Sequence, residues 1–262
     1  MWPRIRDQRL FLASLTGLIA LAWLSLWLWK ESPSGRFLSH RENEDVHGLG
    51  GHYLTLAVVF AAGWTLMTVA MMLPTSLPLV AVFRAVVRQR PDRLRLVVLL
   101  ITGYLLVWAL FALAIHAGDL WIHEGVDNVA WLHDHAWIIS AATVLWAGVY
   151  QFTSLKYRCL DKCRSPLSFV MGHWRGGSEP AQALRLGAHH GLFCVGCCWS
   201  LMLLMFAVGV GSIGWMLALG AVMAVEKNMP WGRRISAPLG IALIAWGVVL
   251  VVTGSPGPGG VQ

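Results

Sequence analysis

Five cysteines fall in two short groups, Cys159-Leu-Asp-Lys-Cys163 and Cys194-Val-Gly-Cys197-Cys198. Thiols gathered this closely point to soft-metal or redox chemistry, because the thiolate is both the metal ligand and the nucleophile. Residues three and four apart share a helical face. Cys159 and Cys163 therefore stack one turn apart, and Cys194, Cys197 and Cys198 form one stripe. Helical steps along that stripe add His190 on one side and Met205 on the other, with Met202 beside it. Thiolates with an imidazole and thioethers suit Cu(I), with Zn(II) as the alternative. Lys156, Lys162 and Arg164 flank the first group, and cations favour thiolate.

A second stripe is thioether-rich. In 64–78, Trp64, Met67, Met71, Pro74 and Pro78 fall on one side of a helix, with Met72 next to them. The prolines kink such a helix and free backbone carbonyls, which Thr hydroxyls or neighbours must satisfy. Thioethers bind Cu(I), so Met67, Met71, Met72, Met202 and Met205 form a conceivable relay to the thiols. The competing reading of any Met stripe is ordinary packing, as it is for a small buried thiol.

The elements that position these residues are membrane spans. Apolar residues make up 57% of the 262-residue chain, charged residues 13%, and there are 15 tryptophans. Segments 10–29, 53–83, 96–117, 136–155, 188–209, 213–225 and 235–252 carry no charge. Most are long enough for roughly 30 Å of hydrocarbon. The expectation is an all-α, polytopic bundle of about seven transmembrane helices forming a single integral membrane domain over 1–262. The first span reads as a retained anchor rather than a cleaved signal peptide.

Basic residues orient it. Arg4, Arg6 and Arg9 precede the first span. Arg84, Arg88, Arg90, Arg93 and Arg95 follow the second, and Lys156 to Arg185 follow the fourth. Lys227, Arg233 and Arg234 follow the sixth. Of the 20 basic residues, only Lys30, Arg36 and Arg41 lie on the other side. The N-terminus is thus expected in the cytoplasm, the C-terminus outside, and both cysteine groups at the cytoplasmic mouth of a bacterial inner-membrane protein. That side is reducing, which argues against stable disulfides. The net charge of +7 reports topology rather than nucleic-acid binding. Ser165-Pro166 is expected to end the helix leaving span four, within a basic loop over 156–187.

The external loops 30–52 and 118–135 are polar. His40, His47, His52, His116, His123, His133 and His135 lie in or near them, and His133, Asp134 and His135, with His123, Glu124 and Asp127, are a weaker divalent site. Glu226 and Lys227 read as markers of an interface. No Ser/His/Asp set or phosphate loop demands an enzyme.

Together, AMMLPTSLP, YQFTSLKYRCLDKCRSPLSF, GLFCVGCCWSLMLLMFAVG and EKNMPWG resemble a bacterial family of predicted metal-binding integral membrane proteins with a domain of unknown function. The resemblance covers about 53–250 and implies metal at Cys159, Cys163, Cys194, Cys197 and Cys198. The leading expectation is a protein that binds or conveys a soft metal, most plausibly copper. Its partners would be the lipid bilayer and a metallochaperone or larger membrane complex. Two other expectations stand beside it. One is a non-catalytic subunit or assembly factor, packing through pairs such as Gly187/Gly191. The other is a membrane thiol oxidoreductase cycling Cys194/Cys197 or Cys197/Cys198, with Cys159 and Cys163 resolving.

Overall fold

The computed structural model describes residues 2–31, 52–128, 131, 135, 137–174, 179–208 and 212–254. Within them the protein is helical throughout, with no strand. In chain order the helices are α1 (Trp2–Glu31), α2 (His52–Met71), α3 (Leu77–Val86), α4 (Arg93–Asn128), α5 (Trp137–Tyr150), α6 (Ser154–Cys163), α7 (Pro166–His173), α8 (Glu179–Val208), α9 (Ile213–Asn228) and α10 (Ser236–Thr253). The all-α expectation holds. The expectation of seven spans is corrected: among the described residues, three helices are long and apolar enough to cross a membrane, or five if each bent pair is one span. The described apolar part of the first helix, Ala13–Leu28, falls short of that length, and α9 has only 16 residues.

Both bent pairs carry the candidate chemistry. α2 and the stretch Pro74–Val86 meet at 51°, where Pro74 opens a short 3-10 turn, Pro74–Ser76. The freed groups find partners locally. Met72 and Leu73 both donate to the Thr68 carbonyl (2.8 and 3.0 Å), and the Thr75 hydroxyl donates to the Met72 carbonyl at 2.8 Å. This is the proline break foreseen from the sequence, with threonine supplying the missing hydrogen bonds.

The second break was not foreseen. α5 stops at Tyr150 and α6 departs at 67°, with neither proline nor glycine between them. Thr153 caps the new helix, its Oγ1 accepting from the Lys156 amide at 3.3 Å. Cys159 and Cys163 therefore ride on a separate two-and-a-half-turn helix, not on the straight extension of α5. Ser165-Pro166 then ends α6 where expected, with Pro166 opening α7.

α8 lies at the centre of the packing and runs against α4, α5 and α6. Its approach to α4 depends on missing side chains: a Cβ at Gly187 would overlap the Leu100 carbonyl, and one at Gly103 the Leu184 carbonyl. Gly187 and Gly191, expected as a surface for other subunits, are thus spent inside the bundle against α4. α10 packs on α5 in the same way, through Gly247 against Leu145 and through Gly148 against Gly240 and Ile244. The main apolar core joins α1, α2, α4, α5, α6, α8, α9 and α10 and encloses four of the five cysteines. A smaller core, built on Phe83, Leu96, Leu100, Phe169 and Leu186, closes the end where α3 and α7 meet.

Candidate metal centre

Four segments converge: the broken turn after α2, α6, the middle of α8 and the end of α9. Cys159, Cys194, Cys197 and Cys198 are buried, Cys163 is half-buried, and all five thiols are free. The C-V-G-C-C stripe faces inward, and Gly196 between its cysteines makes room for α6. A Cβ there would lie 2.6 Å from the Cys159 Sγ. The Gly196 carbonyl accepts from the Tyr150 hydroxyl at 2.5 Å, tying α5 to the same point.

The sulfurs approach in pairs. Cys163 Sγ lies 3.9 Å from Cys197 Sγ, linking the two sequence groups. Cys198 Sγ lies 3.7 Å from Met72 Sδ, linking the second group to the methionine segment. Metal–sulfur bonds of about 2.3 Å in tetrahedral geometry separate two sulfurs by about 3.8 Å, so both pairs have the spacing of two ligands on one ion. Cys197 and Cys198 are also held by the Cys194 carbonyl, at 3.1 and 2.9 Å. Cys194 Sγ itself is 3.1 Å from the Tyr104 hydroxyl. Among the described residues, no three His, Cys, Asp or Glu side chains form a ready-made cage. The donor set is two- or three-sulfur and includes a thioether, which suits Cu(I) better than a four-coordinate Zn(II) site.

The cation among the thiols is Lys227, read from the sequence as an interface marker. Its Nζ lies 3.0 Å from Cys194 Sγ, 3.3 Å from Thr75 Oγ1, 3.7 Å from Met72 Sδ and 3.9 Å from Cys198 Sγ. Lys156, expected beside the cysteines, turns away. Its ammonium is buried against Glu226, 2.8 and 3.0 Å from the two carboxylate oxygens, and also donates to Gln151. The Ser236 hydroxyl adds a 2.7 Å bond to Glu226. Arg164 likewise leaves the thiols and binds the backbone carbonyls of Glu226 and Pro230. The sequence marks Lys227 only as a charge at the end of an apolar helix, and the thiols it meets lie on another segment.

Other expected ligands are placed elsewhere. The His190 ring stacks on Tyr104 and meets Phe169 edge-on. Its Nε2 lies 3.3 Å from Ser76 Oγ, and its Nδ1 is buried without a hydrogen-bond partner. Met71 faces Gly220 of α9, while Met67 and Met205 are buried in the shared core. Met72 is the thioether that reaches a thiol. On the opposite end, His116 stacks on Phe60 and His135 on Trp131. His40, His47, His133 and the side chains of His52, His123, Glu124, Asp127 and Asp134 lie outside the described residues.

No curated protein and no solved structure matches the chain. A family does: the one described as PpoB2, copper chaperone, matches residues 61–250, well over half of the chain. Its description specifies copper, where the resemblance drawn from the motifs implied only a metal.

Proposed function

The chain belongs to the copper chaperone family, and from that premise we propose that it receives Cu(I) at the cytoplasmic face of a bacterial inner membrane and conveys it through sulfur ligands to an acceptor. The observation that carries this reading is the pairing of sulfurs at metal-bridging distance, Cys163 with Cys197 and Cys198 with Met72. Half-buried Cys163 is the approachable member and makes the first contact. Cys197 shares its α8 stripe with Cys194 and Cys198, so the ion passes along one helix face from the first pair to the second. The thioether is neutral and a weaker donor than thiolate, so a site that includes Met72 releases its ion more readily than an all-thiolate one.

Membrane insertion rests on the apolar helices and their outward-facing side chains, such as Leu106, Leu110, Ile241 and Val249. Orientation rests on the basic connections. The acceptor is a metallochaperone-type partner or a larger membrane complex.

The test is copper analysis of the full chain purified from copper-replete cells, alongside a Cys194→Ser/Cys197→Ser/Cys198→Ser variant. About one copper per native chain and none in the variant is the expected result. Copper-free native protein, or unchanged copper in the variant, would sink the proposal. The 3.9 Å approach of Cys163 to Cys197 also favours a dithiol–disulfide couple as the second reading. Its signature is the loss of two alkylatable thiols under mild oxidation, restored by a reductant, in protein that carries no copper.

A further inference from the structure

Among the described residues, Lys227 is the one buried cation of the site with no carboxylate among its partners. Glu226, its neighbour in sequence, is engaged by Lys156, and those two cancel each other. The ammonium of Lys227 instead rests among Cys194, Cys198, Met72 and Thr75. A cation already sits among these sulfurs and must be reckoned with when another arrives.

We propose that Lys227 makes this cage selective for a monovalent over a divalent ion, acting as a built-in counter-charge. The inference rests on the cargo reading above and deepens it. Metal–thiolate bonds form with loss of the thiol protons to water; with Cys194, whose Sγ lies 3.0 Å from the same ammonium, closing beside Cys198 as the second thiolate, the two contribute two negative charges, and Met72 contributes none. With a monovalent ion and the Lys227 ammonium the sum is zero. With a divalent ion it is one positive charge, sealed in a bundle where an unbalanced charge is costly. Without Lys227 the balance inverts: the monovalent complex carries a net negative charge and the divalent complex is neutral. Cargo discrimination therefore lies in a residue that donates no bond to the ion. Thr75 Oγ1 gives the ammonium a place to lean as the sulfurs close on the ion.

The test is equilibrium competition between Ag(I), an air-stable monovalent probe, and Cd(II), on detergent-solubilised full chain. The native protein, Lys227→Met, Lys227→Gln and Lys227→Arg are compared, with a shared thermal transition as the check of folding. In the native chain a modest excess of Cd(II) leaves Ag(I) bound, and its displacement overturns the proposal without recourse to any variant. Lys227→Arg keeps the native preference. Lys227→Met and Lys227→Gln shift the Ag(I)/Cd(II) ratio toward Cd(II) by roughly tenfold or more, the scale set by one uncompensated charge in a poorly solvated site. A folded neutral variant with an unmoved ratio overturns the role of Lys227 alone. A native chain that binds neither Ag(I) nor Cu(I) overturns the cargo reading instead.

Discussion

At the scale of single residues, the glycine inside C-V-G-C-C is as consequential as the cysteines around it. Gly196 sits where α6 presses on α8, and its missing Cβ is the space that the Cys159 thiol fills. An alanine there raises helix propensity by up to about 1 kcal/mol, so a purely local view predicts a more stable protein. Packing predicts the opposite: a methyl 2.6 Å from Cys159 Sγ forces α6 outward, at a typical overpacking cost of about 1–3 kcal/mol. Gly196→Ala is therefore expected to lower the unfolding midpoint and to speed alkylation of Cys159. A midpoint at or above the native value would refute the packing argument. The five cysteines were legible from spacing alone, because helical phase places them without knowledge of their neighbours. Lys227 was not, because its partners Met72, Thr75 and Cys194 come from two other segments far away in sequence.

At the scale of elements, the thiol geometry depends on how α6 is fastened. The end of α9 and the turn after it hold it three times: through Lys156 to Glu226, through Arg164 to the carbonyls of Glu226 and Pro230, and through the exposed Arg233–Asp161 pair at 3.0 Å. Only the first is buried, and it dominates, since exposed pairs contribute about 0–1 kcal/mol. Removing one member of a buried pair strands the other and typically costs about 3–5 kcal/mol, whereas replacing both with apolar residues is often neutral. Glu226→Ala should thus strongly destabilise the protein and lower its copper content, while Lys156→Met/Glu226→Leu should recover most of the stability. Chemical denaturation of the native chain, both single variants and the double variant measures this. Additive losses in the double variant would exclude a fastening role for the pair. The α2–α3 break was legible because proline announces it, and the α5–α6 break was not. Gln151-Phe152-Thr153 continues a charge-free run without proline or glycine, and Thr153 becomes a cap where Lys156 turns to Glu226.

At the scale of the whole molecule, composition and charge placement made the helical, apolar architecture legible, but not its count of spans. Charge-free stretches measure where a chain avoids charge, whereas helix length depends on caps and bends that the same stretches conceal. α9 illustrates this: 213–225 lacks charge, yet its helix runs on through Glu226 and Lys227 because both are buried against partners. The end of the bundle that bears the thiols can be followed through contacts. Arg90, in the basic connection after α3, pairs with Glu179 at the head of α8, and α3 packs on α7, the helix after Cys163. Two of the four basic connections therefore gather at the end where α6 delivers Cys163. If basic connections face the cytoplasm, so does that thiol, and copper enters from inside the cell. A membrane-impermeant maleimide should then label Cys163 in inside-out membrane vesicles and leave it unmodified in right-side-out spheroplasts. Cys163→Ser should remove the rapid phase of labelling, because the other four thiols are buried. Rapid labelling from the outer face would reverse the orientation, and with it the direction of the proposed transfer through Cys163, Cys197 and Cys198.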